Sequence, residues 1–288
     1  MLVRIITAVV LIAAVLLWLF VADYPIFAMG ALFMYSVGAY EMGPLLGFKS
    51  RIPFLLIAVI AAVAAFVFVE NPGTFVITGI PKSACYITML GIVVWLTCIP
   101  LLLKYPHNTS WHQHRLINVI LGLLLLVPFL MGLLILRSHE YAYNDRSGSF
   151  LVLSVMALVW CADSGAYFSG YFLGRHKMLP NVSPKKTLEG LVGGIVTALM
   201  GMYVFLELGW FGQYAVNKAV LILACIMTII FSVIGDLMES MLKRLVNIKD
   251  SGKIFPGHGG MLDRIDSQLA AIPIFLSTIW IASGEIFK

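Results

Sequence analysis

Charged side chains are scarce in this sequence. Asp, Glu, Lys and Arg together make up 11% of its 288 residues, while hydrophobic residues make up 61%. Soluble globular proteins carry about 25% charged residues, which help to cover a surface that faces water. This shortage excludes an ordinary soluble domain, and we predict an integral membrane protein. We expect membrane lipids around it and no nucleic acid as a partner.

Cysteine is nearly absent as well. The four cysteines all fall inside apolar segments and never pair at the spacing of metal ligands. A cysteine in such a place is typically a small buried hydrophobic residue, so we expect neither a disulfide framework nor a zinc site. The sequence also contains no G-x-x-x-x-G-K-[ST] run and no strand pattern, which argues against a dinucleotide-binding fold.

Long apolar runs occupy most of the chain. A helix needs about 17 to 25 residues to cross a bilayer. We therefore predict an all-α, polytopic membrane protein with about nine transmembrane helices and a polar active-site cavity that faces the cytoplasm. No convincing small-residue cleavage site follows the first run, so we interpret it as a retained helix. The nine runs cover residues 5–21, 25–40, 53–69, 84–103, 116–136, 149–172, 190–208, 219–237 and 269–284.

The positive charges are distributed unevenly between the two sides of this predicted bundle. With nine helices, 14 of the 19 Lys and Arg residues fall on the side of the N-terminus, and nine of these lie in only two loops. Cytoplasmic loops hold the excess of positive charge. We therefore predict a cytoplasmic N-terminus and an outside C-terminus, in what we expect to be the bacterial cytoplasmic (inner) membrane. An N-terminal transmembrane region, 1–148, would precede a catalytic region, 149–288, with loops 173–189 and 243–268.

One stretch, KDSGKIFPGHGGMLDRID at 249–266, does not match its apolar surroundings. Ionisable residues at membrane depth are costly and are functional by default. The apolar run before it continues into GDLMESMLKR at 235–244. On a helix, Asp236, Ser240 and Lys243 would share one face at i, i+4 and i+7. Glu239 lies beside that face, and we interpret it as a partner of Lys243.

Glycines and aspartates in the same stretch indicate a site for phosphate and a metal ion. The run from Pro256 to Gly260 breaks any helix, and glycines let backbone amides approach a phosphate closely. Asp263 and Asp266 follow at i and i+3 on one helical face. Mg²⁺ usually takes one or two carboxylates together with substrate phosphates. We therefore predict Mg²⁺ as a cofactor.

Loop 173–189 has the same character. It follows Asp163, an acid inside an apolar run, and ends just before the next run. Together the two loops would bring acids, hydroxyl groups and lysines to one cytoplasmic cavity, which is typical of a phosphate-and-magnesium site. The residues that this loop contributes are Ser183, Lys185, Lys186, Thr187 and Glu189.

These motifs resemble a known family. The run from Ser240 to Asp266, with SMLKR, KDSG, PGHGG and DRID in order, is similar to the signature of phosphatidate cytidylyltransferases, also called CDP-diacylglycerol synthases. The earlier run DSGAYFSGYFLGRHKMLPNVSPKKTLEG also resembles that family, so the likeness covers about residues 160–268. The resemblance implies a Mg²⁺-dependent transfer of a cytidylyl group from CTP to phosphatidic acid, giving CDP-diacylglycerol and pyrophosphate. It leaves open a second cation and a homodimer.

Roles follow from this chemistry, in which two polyanions must meet and pyrophosphate must leave. We expect metal-linked carboxylates at Asp236, Asp263 and Asp266. We expect catalytic roles for Lys243, Ser240, Asp266 and His258, the histidine orienting a phosphate, protonating the leaving group or serving only the loop structure. The residues expected to bind substrate are Ser183, Lys185, Lys186, Thr187, Arg244, Lys249, Gly259, Gly260 and Arg264.

Two other interpretations fit the sequence less well. A transporter or channel would line its path with Asp163, Asp236 and Asp266, but the sequence shows no internal repeat with interrupted helices, which transporters often have. CDP-alcohol phosphotransferases typically contain a D-G-x-x-A-R run with two later aspartates. No such run occurs here.

Overall fold

The structure, a computed structural model, describes residues 2–69, 81–141, 144–212, 217–257 and 259–283. In this part of the chain the dominant elements are nine α-helices, one at each predicted apolar run. They are α1 Leu2–Phe20, α2 Tyr24–Leu45, α3 Ile52–Phe68, α4 Lys82–Lys104, α5 Arg115–Ser138, α6 Ser147–Leu173, α7 Leu188–Glu207, α8 Lys218–Leu245 and α9 Leu262–Ser283. A short 3-10 helix, Ser110–Gln113, precedes α5.

Six of these helices, α4 to α9, are long and apolar enough to cross a membrane. The helical nature of all nine runs is thus confirmed for the described residues, while the crossing of the membrane by α1, α2 and α3 stays a prediction. The extension of α8 through residue 245 is also confirmed. Polar residues begin several of the helices, because they accept hydrogen bonds from first-turn amides that have no partner within the helix. The Asp23 side chain accepts from Ile26 N, and Asn217 accepts from Val220 N.

Helices α5 and α9 form the centre of the bundle. In each of them 72% of the most apolar 18-residue stretch is buried inside the protein, compared with 33% in α4 and 22% in α7. Helix α9 packs against α8 and α6, and also against α2, α4 and α5. The helices before and after the predicted boundary at 148/149 therefore share one core.

A two-stranded antiparallel hairpin corrects the all-α prediction. Strands β1, Lys177–Leu179, and β2, Ser183–Thr187, pair within the loop between α6 and α7. Such short strands leave no detectable alternation of apolar and polar residues in the sequence. Glu189, in the first turn of α7, accepts hydrogen bonds from the backbone amides of Arg175 and His176. This contact fixes the base of the hairpin to the helix.

The connections between helices gather at two ends of the bundle. At one end, Thr7 donates to the Pro256 carbonyl, and the loop after α2 meets the segment before α5 through His112 and the Leu45 carbonyl. At the other end, the Arg137 guanidinium donates to the carbonyls of Ala22 and Asp145. The grouping agrees with the alternation that the charge distribution predicts.

Candidate functional site

An ion-pair cluster joins the end of α8 to the start of α9. Lys243 Nζ lies 2.6 Å from Glu239 Oε2 and 2.7 Å from Asp263 Oδ1. All three side chains are largely withdrawn from solvent, with exposed fractions of 15%, 4% and 7% for Lys243, Glu239 and Asp263. The predicted pairing of Glu239 with Lys243 is confirmed. A single ammonium group therefore pairs with two buried carboxylates at this place.

Asp263 also holds the loop between α8 and α9. Its Oδ2 atom accepts hydrogen bonds from Ser251 N at 2.9 Å, from Ser251 Oγ at 2.9 Å and from Gly260 N at 2.8 Å. The loop is closed a second time where Phe255 N donates to the Gly259 carbonyl. The Asp263 carboxylate thus holds Ser251 and Gly260 together within the polar stretch 249–266.

A second buried acid, Glu41 of α2, contacts the same loop, and the sequence analysis gave it no role. Glu41 Oε2 accepts from Leu262 N at 2.8 Å and lies 3.3 Å from Ser251 Oγ. Glu41 is fully buried. The available signal was a lone acid directly after the second apolar run, in a region predicted to contain only membrane helices.

Another cluster joins the hairpin to α8. Lys186 Nζ lies 2.6 Å from Asp236 Oδ2, and Ser240 Oγ donates to Asp236 Oδ1 at 3.2 Å. Asp163 on α6 is close enough to interact electrostatically with Lys186 and Asp236. Asp266 on α9 interacts with Lys186, Asp236 and Lys243. The first of the two polar loops therefore contacts α8 at Asp236, seven residues before loop 243–268 begins.

A basic cavity of about 600 Å³ opens beside the Lys243–Asp263 cluster. It is formed by the loop between α8 and α9, and three exposed cations contribute to its wall against one exposed acid. Such a cavity favours a ligand that carries several negative charges. The residues that line it are Lys249, Asp250, Gly252, Lys253, Phe255, Pro256, Gly257, Gly259 and Arg264.

The remaining predicted site residues have diverse positions. Thr187 is buried, and its hydroxyl accepts from Gly190 N, so it begins α7. Lys185 and Arg244 are exposed, and Ser183 is half-buried on β2. The amide of Gly260 is used by Asp263, as described above. His258 lies outside the described residues.

The acidic side chains allow a test of the Mg²⁺ prediction. Among the described residues, no three His, Cys, Asp or Glu side chains converge closely enough to hold a metal ion by themselves. Mg²⁺ needs only one or two carboxylates when phosphates supply further oxygens. Asp236 and Asp266 fit this requirement, since they stand on the packed helices α8 and α9, interact electrostatically and are half-buried. Asp263 fits it less well, because its oxygens accept from four protein donors, whereas each oxygen of Asp236 accepts from one.

These features together describe a site for a phosphate compound at one end of a membrane bundle. The cavity walls and the hairpin supply cations, and a carboxylate pair that suits Mg²⁺ lies within reach of Lys186. Because the site is built where membrane helices end, a water-soluble reactant and a lipid can both approach it. This arrangement suits chemistry between two charged phosphates, one dissolved in water and one held in the membrane.

Comparisons with known proteins agree with this description. A family model described as "Cytidylyltransferase family" matches residues 2–282. A phosphatidate cytidylyltransferase of Haemophilus influenzae is 36% identical over 281 residues, which are 94% of this chain and 96% of that protein. That of Pseudomonas aeruginosa is 36% identical over 279 residues, 97% of each chain, and that of Bacillus subtilis is 32% identical over 248 residues, 86% and 84%. The likeness therefore extends well beyond residues 160–268.

Proposed function

Because this chain belongs to the cytidylyltransferase family, we propose that it transfers a cytidylyl group from CTP to phosphatidic acid in phospholipid biosynthesis. The relatives named phosphatidate cytidylyltransferase align with nearly the whole chain, which favours this enzyme over the transporter or the CDP-alcohol phosphotransferase. The observation that carries the proposal is the basic cavity formed by the loop between α8 and α9, which adjoins the Lys243–Asp263 ion pair at Gly259.

The basic cavity is the proposed site of the CTP phosphates. Lys249, Lys253 and Arg264 line it, and their side chains are exposed to the solvent from which CTP arrives. Several exposed cations attract a triphosphate from a distance and hold it by charge-assisted hydrogen bonds. Lys185 and Ser183 on the hairpin, together with Arg244, would complete the phosphate contacts.

In the proposed reaction a phosphate oxygen of phosphatidic acid attacks the α-phosphorus of CTP. The bond from that phosphorus to the bridging oxygen breaks, so that pyrophosphate leaves and CDP-diacylglycerol remains. Lys243 is proposed to bind a phosphate oxygen with the third of its N–H groups, since Glu239 and Asp263 occupy two. Ser240 lies one helical turn away and is proposed to hold a second oxygen. Catalysis would then rest on positioning and charge neutralisation.

Asp236 and Asp266 are the proposed ligands of Mg²⁺. When bound, the ion would neutralise phosphate charge and align the reacting groups. The Lys186 ammonium group, 2.6 Å from Asp236 Oδ2, would hold that carboxylate in place or move to a phosphate oxygen. A metal role for Asp263, a second cation and a homodimer stay predictions.

We also propose that the end of the bundle with the basic cavity is cytoplasmic, which places the N-terminus inside. The support is the excess of Lys and Arg in the loops at this end and the contact of Thr7 with Pro256. An integral protein of the bacterial inner membrane would then receive CTP directly from the cytosol. The apolar helices α4 to α9 and the bacterial relatives agree with that location.

Cysteine labelling in intact cells tests the orientation. Ser183→Cys and Lys253→Cys are expected to resist a membrane-impermeant maleimide, whereas Asp145→Cys, exposed at the opposite end, is expected to react. Ala142, which the charge distribution also predicts to lie outside, is not among the described residues. The parent chain, whose cysteines are buried or half-buried, gives the background. Labelling of Lys253→Cys in intact cells would reverse the assignment.

The activity is tested with purified protein, phosphatidic acid, Mg²⁺ and CTP labelled in the cytosine ring. We expect label to enter the lipid phase only when all components are present. Diacylglycerol, which lacks the attacking phosphate, serves as the matched control lipid and is expected to take up no label. A well-folded protein that gives no lipid-soluble label with phosphatidic acid would contradict the proposed function.

A further inference from the structure

Glu41 connects the N-terminal part of the bundle to the loop that forms the basic cavity. It lies on α2, about 200 residues before that loop in sequence, yet its carboxylate accepts from the first amide of α9, Leu262 N. The same oxygen lies 3.3 Å from the Ser251 hydroxyl. The other oxygen, Oε1, is buried and has no hydrogen-bond partner among the described residues. Burying a carboxylate costs free energy unless hydrogen bonds compensate for the lost water, so the contacts of Oε2 are what stabilise Glu41 here.

Two glycines of the loop make room for this carboxylate. A Cβ atom at Gly252 would lie within van der Waals overlap of Glu41 Oε1, at 1.8 Å, and one at Gly260 would lie 2.4 Å from Oε2. Gly252 does not adopt a positive φ, so the close approach of Glu41 is what excludes a side chain there. The sequence predicts substrate binding at Gly260 and indicates no role for Gly252. For these two, the described contacts point to Glu41 instead.

We propose that Glu41 is a positioning residue that sets the geometry of the CTP cavity from outside the signature motifs, an inference that rests on the proposed function. Ser251 directly follows Lys249 and Asp250 of the cavity wall. Leu262 lies two residues before Arg264, which lines the same cavity. By contacting Ser251 within the loop and Leu262 at its end, Glu41 fixes the spacing between Lys249 and Arg264. We therefore expect the binding of CTP, rather than that of phosphatidic acid, to depend on this spacing.

The role requires a hydrogen-bond acceptor at Oε2. In Glu41→Gln the side-chain oxygen still accepts from Leu262 N, and the amide nitrogen replaces the oxygen that has no partner. In Glu41→Ala both contacts are lost and the loop ends separate. Losing hydrogen bonds to a charged acceptor in a buried place corresponds to about a 10- to 100-fold effect.

The test measures transfer rates against the concentrations of CTP and of phosphatidic acid. We expect Glu41→Ala to lower kcat/KM for CTP by about 10- to 100-fold, mainly through KM. The KM for phosphatidic acid is expected to change less than about threefold, and Glu41→Gln to stay within about threefold of the parent in both. Tyr35→Phe is the matched control, since Tyr35 is also fully buried on α2 and its hydroxyl donates to the Ala58 carbonyl, away from the loop.

Gly252→Ala keeps the proposal testable if Glu41→Ala folds poorly, and a double-mutant cycle of the two changes adds a further test where Glu41→Ala folds. Gly252→Ala alone is expected to raise KM for CTP because its methyl group meets Glu41, and to cost much less when Glu41 is already Ala. Additive losses in the cycle, equal changes in both KM values, or a Tyr35→Phe variant with the same kinetic defect would each overturn the proposal. A parent protein without any transfer activity would contradict the proposed function itself, which separates the two failures.

Discussion

Asp263→Asn is expected to lower turnover at least about 100-fold while the protein still inserts into the membrane. The reason is that both oxygens of the carboxylate accept hydrogen bonds from protein donors. Oδ1 faces the Lys243 ammonium group, and Oδ2 faces Ser251 N, Ser251 Oγ and Gly260 N. An amide nitrogen placed on either side would face a donor, so no orientation of asparagine preserves the contacts. Initial rates at saturating substrates measure the loss.

Dependence on Mg²⁺ concentration then separates two roles for Asp263. If Asp263 anchors the loop and Lys243, as the described contacts favour, the deficit is expected to be the same at every Mg²⁺ concentration. A deficit that shrinks as Mg²⁺ rises would assign Asp263 to the metal ion, as the sequence predicted. Asp145→Asn, an exposed change at the opposite end, is the control and is expected to match the parent. Near-normal turnover of Asp263→Asn would contradict both roles.

Lys243→Met is expected to abolish measurable transfer and to destabilise the protein as well. Without the ammonium group, Glu239 and Asp263 remain as buried carboxylates with no cation between them. Removing one partner of a buried ion pair typically costs about 3–5 kcal/mol. The two readouts are the thermal midpoint of the purified protein in detergent and the rate of CDP-diacylglycerol formation.

A second substitution separates stability from chemistry in this variant. Adding Glu239→Gln to Lys243→Met removes one unpaired charge, so the thermal midpoint is expected to rise again while transfer stays absent. Lys218→Met, an exposed lysine at the other end of α8, is the matched control and is expected to change neither readout. Recovery of transfer in the double variant would show that Lys243 serves stability only.

The sequence was sufficient to predict the helices because their signal is local. Each apolar run forms a helix in the described structure, and the i, i+4 spacing of Glu239 and Lys243 correctly predicted an ion pair. The hairpin at 177–187 was missed because strands of three and five residues carry too few side chains to show a period. Local spacing identifies which residues share a helix face, and it does not identify their partners on other helices.

The candidate site shows the same limit. Asp236, Asp263 and Asp266 looked equivalent as metal-linked carboxylates, since each stands on a polar helix face. Only the packing of α8 against α9 shows that Asp263 is occupied by protein donors, and only the hairpin brings Lys186 to Asp236. Glu41 could not be assigned because its partners are more than 200 residues away in sequence.

The central claim is that a cytidylyl group moves from CTP to the phosphate of phosphatidic acid, and the most direct measurement follows two phosphates of CTP separately. Parallel reactions would contain CTP labelled at the α-phosphorus or at the γ-phosphorus. The proposed displacement predicts that α-label enters the lipid phase and γ-label appears only in water-soluble pyrophosphate, in equal amounts. Transfer of γ-label to lipid, or release of pyrophosphate without α-label in lipid, would contradict the account.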